Sequence, residues 1–576
     1  MTQFKSIGCN SFISKFRSGV LRSAIIGVLG IFLFLPSHLT AQKLKPAQDE
    51  VIFTVNNIVR ENDGFTSPDK STNLWWEQRN VKGAQDGALL VTGIDTHAPD
   101  LLINPKLSGW YSIYIGVYTP DNLISGLYVR TTKEPYFTFI KDAISETFPN
   151  FSEILYKELE MTGQSLLIHQ PLEYRSYINY VKFVPLTEGE KAKVQRIKTA
   201  PFRKDVIGIA DFWRWFYFYG GYETDNSALC VQEHADYGFN TLVYGLGSSC
   251  MSYKTQIGTP HNFDPGQPRT RIVKYQCTRN DPLKTAVETA HTAGMKIYAG
   301  LGMNCHSESA NRSIPASDFA ISNSDLWERH KDGSPFSGKL CYGFNEVRKE
   351  RIDLLMESLS YGVDGLLLNT LLNAPLVEYG RPVVNGYQSL YKVDPMSIDS
   401  TNTEEYHRWL KFRAEFVTMF MRELAMTLKQ NKKDQLPITL LISDDGLEKN
   451  LEAGIDLPVL IQEKLISSII TLGDSVKPYL DLVKGTDIKV YGGYNVQGDT
   501  LPGAGQYQEG SWPALPGASP NNRVLGMQIS ELFSQGVHGV AFYNSDEGVN
   551  YPELRPLFQT LKDPKLLEEY LKQPPR

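Results

Sequence analysis

The chain is poor in cysteine and has no excess of basic residues. It carries 6 cysteines among 576 residues, no Cys-x-x-Cys pair, and 64 acidic against 58 basic side chains. Its histidines form no His-Glu-x-x-His motif and no paired spacing. These absences argue against a zinc module, a metalloprotease site and a nucleic-acid-binding surface. We therefore predict no metal site and no nucleic-acid partner.

Two further motifs are missing. No glycine-rich phosphate loop joins a predicted strand to a helix, and Gly-x-Ser-x-Gly does not occur. A nucleotide cofactor and a serine-hydrolase elbow are therefore not indicated. We predict that the protein works without a cofactor.

The longest apolar run is short and lies near the amino terminus. It covers residues 24–35, about a dozen residues against the roughly 20 that a spanning helix needs. Four basic residues precede this run: Lys5, Lys15, Arg17 and Arg22. Leu39-Thr40-Ala41 then resembles a small-residue cleavage site. This pattern predicts an export signal over residues 1–41, a periplasmic or extracellular mature chain, and no stable membrane span after cleavage. An uncleaved anchor is the alternative.

The chain beyond this segment keeps five cysteines, an odd number. They are Cys230, Cys250, Cys277, Cys305 and Cys341. At least one thiol is therefore free unless it pairs between chains. Buried single cysteines are the favoured interpretation, and one bridge within the region Cys230–Cys305 is the alternative in an oxidising compartment.

Residues 50–190 show the alternation of an all-β domain. Short runs such as 51–55, 110–118 and 179–186 are separated by turn-forming stretches. This pattern predicts a β-sandwich-like domain. The charged segment 187–201 is predicted to be a short helix or linker. The aromatic content of 11% suits a carbohydrate-facing protein and a large β-rich core equally well.

Strands and helices alternate over residues 202–560. Eight apolar strand candidates occur in order: 206–212, 240–247, 296–302, 363–369, 437–443, 467–473, 487–494 and 536–544. Continuous apolar runs are expected for strands that are buried on both faces. The pattern predicts an α/β fold, a (β/α)₈ TIM barrel with enlarged loops. A doubly wound open sheet is the alternative, disfavoured by the missing phosphate loop.

Three segments of the predicted barrel carry a family resemblance. They are GFNTLVYG (238–245), DPLKTAVETAHTAGMKIYAGLGMN (281–304), and the run from SDLWERHKDG to GVDGLLLN (324–369). Together they resemble the family-10-like group of glycoside-hydrolase-like barrels, which includes many secreted bacterial proteins. The resemblance implies a sugar-polymer substrate and two acidic catalytic residues on loops at the carboxyl ends of the strands.

The sequence departs from this family at the end of the fourth strand. The family pattern has an Asp there, whereas this chain has Asn369, followed by Thr370 and Asn373. Asn has the shape of Asp but cannot ionise, so it serves neither as a general acid nor as a carboxylate base. Three explanations stay open: another carboxylate acts, Asn369 only orients a sugar hydroxyl, or activity is lost.

Glycoside cleavage needs two carboxyl groups, one protonated and one ionised. Acids just beyond the predicted strands are the candidates, because that end of a barrel carries the chemistry. The predicted catalytic candidates are Asp444 and Asp445 after strand five, Asp474 after strand six, and Glu547 after strand eight. Each has a structural alternative, such as an ordinary turn at 444–446 or a helix cap at Asp474.

Substrate contacts are predicted at the same rim. Polar candidates are Asn369, Asn373, Asp211, Arg214, His306, Glu308 and Asp546; aromatic candidates are Trp213, Tyr494, Trp512 and Tyr543. Aromatic rings can stack on sugars, although buried packing is the alternative for about half of such rings. Trp512 lies in the long Pro/Gly-rich loop 496–522, and long loops are often functional.

Two hypotheses follow. The first is an exported glycoside-hydrolase-like enzyme whose partner is an oligo- or polysaccharide bound at the barrel mouth. The second is a catalytically inactive carbohydrate-binding barrel. The acids after strands five, six and eight favour the first, whereas Asn369 and Asn373 favour the second.

Overall fold

The computed structural model describes residues 50–67, 75–94, 96–120, 125–141, 149–171, 175–211, 227–261, 277–304, 317–371, 374–473, 475–496, 522–549, 551 and 554–573. Over these ranges, no helix is both long and apolar enough to cross a membrane.

The amino-terminal part consists of two sheets. Its strands are β1 (Val51–Thr54), β2 (Thr66–Ser67), β3 (Trp76–Asn80), β4 (Ala88–Thr92), β5 (Leu101–Ile103), β6 (Trp110–Thr119), β7 (Gly126–Thr131), β8 (Thr138–Lys141), β9 (Asn150–Glu160), β10 (Leu166–His169) and β11 (Ser176–Pro185). One sheet has the order β2-β3-β4-β11-β6-β9 with β1 added on β11, and the other has the order β5-β10-β7-β8.

The two sheets share one apolar core, as the alternating sequence predicts. Ile113 and Ile115 of β6 pack in the same cluster as Leu127 and Val129 of β7. Residues between them along each strand point to the other face, because side chains alternate across a strand. The β-sandwich prediction is therefore confirmed for this region.

A helix at Glu188–Thr199 connects the sandwich to the barrel, as the charged segment 187–201 predicts. Thr187 begins it with a capping box: its hydroxyl oxygen accepts from the backbone N of Glu190, and the Glu190 carboxylate accepts from the backbone N of Thr187. These two bonds satisfy amide groups that a helix start leaves without partners.

Eight parallel strands form a closed barrel, so the TIM-barrel prediction is confirmed. They are β12 (Asp205–Ala210), β13 (Thr241–Gly247), β16 (Lys296–Gly302), β19 (Gly365–Asn369), β20 (Ile438–Ser443), β21 (Ser468–Leu472), β22 (Lys489–Asn495) and β23 (Gly539–Tyr543). Each pairs with the next, and β23 pairs with β12 to close the circle. Short extra strands are β14 (Cys250–Met251), β15 (Thr259–Pro260), β17 (Trp327–Arg329) and β18 (Pro335–Leu340).

The remaining elements are helical and lie mostly between barrel strands. The α-helices are Ser227–Asp236, Pro282–Thr292, Asp318–Ser322, Asn345–Leu359, Arg381–Tyr391, Thr403–Gln430, Leu447–Glu452, Leu457–Gln462, Lys477–Leu482, Asn522–Ser534, Ser545–Gly548, Arg555–Phe558 and Pro564–Lys572, besides Val55–Glu61 in the sandwich. Short 3-10 turns occur at Ser324–Leu326 and Pro395–Ser397.

The barrel interior is filled by alternate residues of the strands. Ile209, Val243, Leu367 and Leu441 belong to one inner cluster. At the amino-terminal end, Asp364 accepts hydrogen bonds from the backbone N of Ile297 at 2.9 Å and shares one with His291 at 3.1 Å. That acid supports the fold and lies far from the carboxyl ends of the strands.

The cysteines that the structure describes are buried. Cys230 is a free thiol on the helix Ser227–Asp236, so it takes no part in the bridge considered for this region. Burial and the charge of Asp546 hold its pKa well above the ordinary thiol value, which keeps the thiol protonated. Cys305 lies outside the described residues.

Candidate functional site

A cavity of about 90 Å³ opens at the carboxyl ends of the first four barrel strands. Four glycines line it: Gly245 and Gly247 on β13, and Gly300 and Gly302 on β16. A side chain at Gly245 has no room, because an added Cβ would lie 2.8 Å from the carbonyl oxygen of Ala210. The remaining described lining is Ile209, Ala210, Asp211, Val243, Ser248, Cys250, Ser252, His261, Leu367, Asn369 and Tyr543.

Asn369 and Tyr543 meet across the barrel. Strands β19 and β23 are four positions apart in the closed circle of eight and therefore lie on opposite sides. Nevertheless, Nδ2 of Asn369 is 3.5 Å from the hydroxyl oxygen of Tyr543, a long hydrogen bond. Oδ1 of Asn369 accepts from the backbone N of Leu371 at 3.1 Å, which fixes the amide orientation. The pair forms part of the cavity wall.

Asp211 brings a carboxylate to this cavity. It follows β12 directly and is exposed to solvent. Among the cavity-lining residues that the structure describes, it is the one acidic side chain. An exposed carboxylate can accept hydrogen bonds from sugar hydroxyls, the neighbouring amide and phenol can donate to them, and a protonated carboxyl group can deliver a proton.

The segment after β13 supplies lining residues that our sequence prediction missed. Ser248, Cys250, Ser252 and His261 all face the cavity. Burial lowers the pKa of His261 to about 3, so its imidazole is neutral at ordinary pH. The small polar run Gly-Ser-Ser-Cys-Met-Ser at 247–252, placed at the carboxyl end of a strand, was the available signal.

Asp444 and Asp445 lie at the rim after β20 and do not line the described cavity. Oδ2 of Asp445 accepts from the hydroxyl of Ser443 at 2.6 Å. This local bond is typical of an ordinary turn, the structural alternative for residues 444–446. Oδ2 of Asp444 accepts from the backbone N of Ser475 at 3.2 Å. Strand β20 stands opposite β12 in the barrel order, so these acids and Asp211 follow strands on opposite sides of the barrel.

Asp546 does not reach the cavity, contrary to the predicted substrate contact. It lies in the short helix Ser545–Gly548, is fully buried, and acts electrostatically on Cys230 of the neighbouring helix. Glu547 in the same turn is half-buried, and its backbone N donates to the carbonyl of Asn544 at 3.0 Å. In the turn after β23, Asp546 is thus fully buried whereas Glu547 is only half-buried.

Tyr494 packs away from the cavity. It is 8% exposed, belongs to the core outside the barrel strands, and stacks on Phe542 with ring centroids 6.4 Å apart. Side chains alternate along a strand, so Phe542 points outward while the next residue, Tyr543, points into the barrel. The predicted sugar contact at Tyr494 is therefore corrected to core packing.

Seven predicted site residues lie outside the described residues. They are Trp213, Arg214, His306, Glu308, Asn373, Asp474 and Trp512. Within the described ranges, no three His, Cys, Asp or Glu side chains come together in a way that could hold a metal ion.

No protein-family model matches the sequence, and a search of curated proteins returns no match. Solved structures with a similar fold include the glycoside hydrolase domain of PgaB (BpsB) from Bordetella bronchiseptica, with 13% identity, a TM-score of 0.42, and coverage of 62% of this chain and 99% of that chain. An α-L-fucosidase from Paenibacillus thiaminolyticus has 10% identity, a TM-score of 0.38, and coverage of 62% and 49%. The catalytic domain of a β-amylase from Paenibacillus polymyxa has 10% identity, a TM-score of 0.39, and coverage of 60% and 94%. Likeness of this degree carries no functional argument.

Proposed function

We propose that this is an exported glycoside-hydrolase-like protein of the family-10-like type, acting on an oligo- or polysaccharide at the mouth of its barrel. The observation that carries the proposal is the exposed carboxylate of Asp211 in a cavity shared with Asn369 and Tyr543. A carboxylate, an amide and a phenol are the side-chain types that bind sugar hydroxyls and sugar faces.

Two carboxyl groups are needed for cleavage, and Asp211 supplies one. We assign the second to Asp444, because its strand lies opposite that of Asp211 in the closed barrel. A glycan lying across the mouth would then pass between the two acids. Asn369 and Tyr543 would orient the sugar ring beneath it, which is the role that an amide at the family's acid position can still perform.

The test is hydrolysis by the purified protein of a panel of oligo- and polysaccharides, followed as released reducing ends, together with a glycan-array binding assay. Asp211→Asn and Asp444→Asn should each lower the hydrolysis rate by about 10²-fold or more, the usual contribution of a general acid or base. Asp434→Asn is the matched control, since Asp434 is exposed in the turn that leads into the amino-terminal end of β20.

The second candidate, a carbohydrate-binding barrel without catalysis, is favoured by one observation, the amide of Asn369 at the position of the family's acid. This candidate would replace the enzyme proposal if the protein binds glycans but releases no reducing ends from any of them, and if Asp211→Asn weakens that binding. Absence of glycan binding and of hydrolysis would contradict both.

A further inference from the structure

The cavity at the barrel mouth occupies one half of the barrel. Its described lining comes from β12, β13, β16, β19 and β23 and from the segment after β13, and it includes no residue of β20, β21 or β22. Asn369 on β19 and Tyr543 on β23 lie on opposite sides of the barrel, and their contact at 3.5 Å spans the mouth. This pair therefore forms the boundary of the cavity towards β20, β21 and β22.

The bottom of this cavity is apolar. Ile209, Val243 and Leu367 line it, are buried, and belong to one inner cluster of the barrel. Val243 precedes Gly245 by two positions on β13, and Leu367 precedes Asn369 by two positions on β19. Residues two apart on a strand point to the same face, so the apolar side chains lie one layer deeper than the mouth. A group that enters the cavity fully therefore meets hydrocarbon at its far end.

The volume of the cavity limits what it can enclose. A cavity of about 150 Å³ accommodates benzene, whereas this one has about 90 Å³. It is therefore too small to enclose the six-membered ring of a sugar. A water molecule takes up about 30 Å³ in the liquid, so the space corresponds to about three water molecules. That space suits a small substituent of a sugar ring.

The described lining has no group that would pair with an anionic substituent. It contains no lysine and no arginine, and burial lowers the pKa of His261 to about 3, so this imidazole is neutral. The carboxylate of Asp211 would repel an anion. Uronate, sulfate and phosphate groups are therefore disfavoured, and a neutral substituent is favoured.

The amide of Asn369 supplies a hydrogen-bond donor beside this apolar floor. Its Oδ1 accepts from the backbone N of Leu371 at 3.1 Å, which directs Nδ2 towards Tyr543. Nδ2 carries two hydrogens, and the contact with Tyr543 uses one of them. The second hydrogen can bind a carbonyl oxygen, whereas an ionised carboxylate at this position would have no hydrogen to donate.

We propose that the glycan bound at the mouth carries an acetyl substituent and that this cavity binds it. The methyl group would contact Ile209, Val243 and Leu367, and the carbonyl oxygen would accept from Nδ2 of Asn369. An acetyl group is neutral, has three non-hydrogen atoms, and has one apolar and one polar end, as the lining requires. An acetamide and an acetyl ester both present these atoms. The inference rests on the proposed function, since it names the substrate class of the same site.

Matched glycans test the inference on the purified protein. The probes are oligosaccharides of N-acetylglucosamine and of N-acetylgalactosamine, O-acetylated oligosaccharides of glucose and of galactose, and the deacetylated counterpart of each. At least one acetylated probe should bind at least about tenfold more tightly than its counterpart, because a pocket that fits one small group discriminates to this degree. The arm that binds distinguishes the acetamide from the ester.

The possible failures are distinguishable. If deacetylated probes bind as tightly as acetylated ones, the acetyl assignment is wrong while the proposed function stands. If no probe binds and no glycan of the hydrolysis panel is bound or cleaved, both are wrong. If the protein binds or cleaves only glycans without acetyl groups, the acetyl assignment alone is overturned.

A pair of variants locates the acetyl group within the barrel. Leu367→Ala enlarges the floor of the cavity, so it should shift the preference from the acetylated probe towards its butanoylated counterpart by at least about tenfold. Leu441→Ala removes the same atoms from the same inner cluster but does not line the described cavity, so it should keep the wild-type preference. An unchanged preference in a folded Leu367→Ala variant would contradict the assignment to this cavity. If either variant fails to fold, the matched glycans on the wild type still decide.

Discussion

His234 and Ser545 form a hydrogen bond in the interior, with Nε2 2.8 Å from Oγ, although they are 311 residues apart in sequence. Nδ1 of the same ring lies 2.7 Å from the carbonyl oxygen of Cys230. A carbonyl only accepts, so Nδ1 carries the proton and Nε2 accepts from the Ser545 hydroxyl. The bond joins the helix after the first barrel strand to the turn after the last one. Gly208 makes room for it, since an added Cβ would lie 2.7 Å from the His234 ring.

This histidine should make the protein sensitive to acid. Burial lowers the His234 pKa from 6.5 to about 4, so between these values the unfolded chain binds the proton and the folded chain does not. The contribution is fully present above pH 6.5 and is lost as the pH falls towards 4, by about 3 kcal/mol. Urea unfolding at a series of pH values measures it. In His234→Asn this dependence should be reduced, whereas His97→Asn, at an exposed position, should retain it.

Glu233 should have the opposite dependence. Burial raises its pKa from 4.5 to about 7, while its Oε1 accepts from the backbone N of Phe139 at 2.7 Å. Its stabilising contribution is present below pH 4.5 and is lost as the pH rises through 7. Glu233→Gln keeps the acceptor and removes the ionisation.

We therefore compare the free energy of unfolding of Glu233→Gln with that of the wild type at two pH values. The difference should favour the variant by up to about 3 kcal/mol more at pH 8 than at pH 5. The same denaturation series measures this. Glu404→Gln, exposed at the start of its helix, is the control and should show no such difference. A difference between variant and wild type that does not change between pH 5 and pH 8 would rule out the ionisation as its cause.

Gly473 should resist substitution because it packs directly against Asp444. Its φ is +144°, and an added Cβ would lie only 2.0 Å from Oδ2 of Asp444. Gly473→Ala should lower the free energy of unfolding by about 1–3 kcal/mol and displace Asp444. Gly485→Ala is the matched control: its φ is also positive, +84°, but no atom lies within 4 Å of the added Cβ. Equal losses in the two variants would show that backbone strain alone is responsible.

Asn369→Asp should raise hydrolysis. It places a carboxyl group at the end of the fourth strand, in the cavity that already holds Asp211. Asn369 is 7% exposed, and burial raises the pKa of a carboxyl group, as a general acid requires. We expect at least about a tenfold faster release of reducing ends, within the usual range for a general acid.

Asn369→Leu, similar in size but apolar, is the comparison for this substitution and should not increase the rate. If a folded Asn369→Asp variant is no faster than wild type, the end of the fourth strand contributes orientation only.

The fold was predictable in detail because its cause is local. Each barrel strand is a short apolar run in the sequence. Each of the eight predicted strands overlaps an observed strand of the barrel. Asp364 directly precedes Gly365, so its position in the sequence places it at the amino-terminal end of β19, where it accepts from the backbone N of Ile297. The alternation in residues 50–190 similarly indicated a two-sheet core.

The site was less predictable, because the position of a residue at a strand end does not determine the direction of its side chain. Tyr494 and Tyr543 both occur near strand ends, yet the first packs into the outer core and the second lines the cavity. Asp546 follows its strand as expected, but the turn of Ser545–Gly548 carries it into the interior beside Cys230. A shift of one residue along a strand moves a side chain to the opposite face of the sheet. Packing across the barrel determines which residue occupies which face.

The sequence by itself determined the number, order and type of the elements, because hydrophobic period and turn residues act over a few positions. Only the tertiary structure decided that Asn369 meets Tyr543 across the barrel and that His261 joins them at one cavity. These groups lie far apart in the sequence, and barrel closure brings them together.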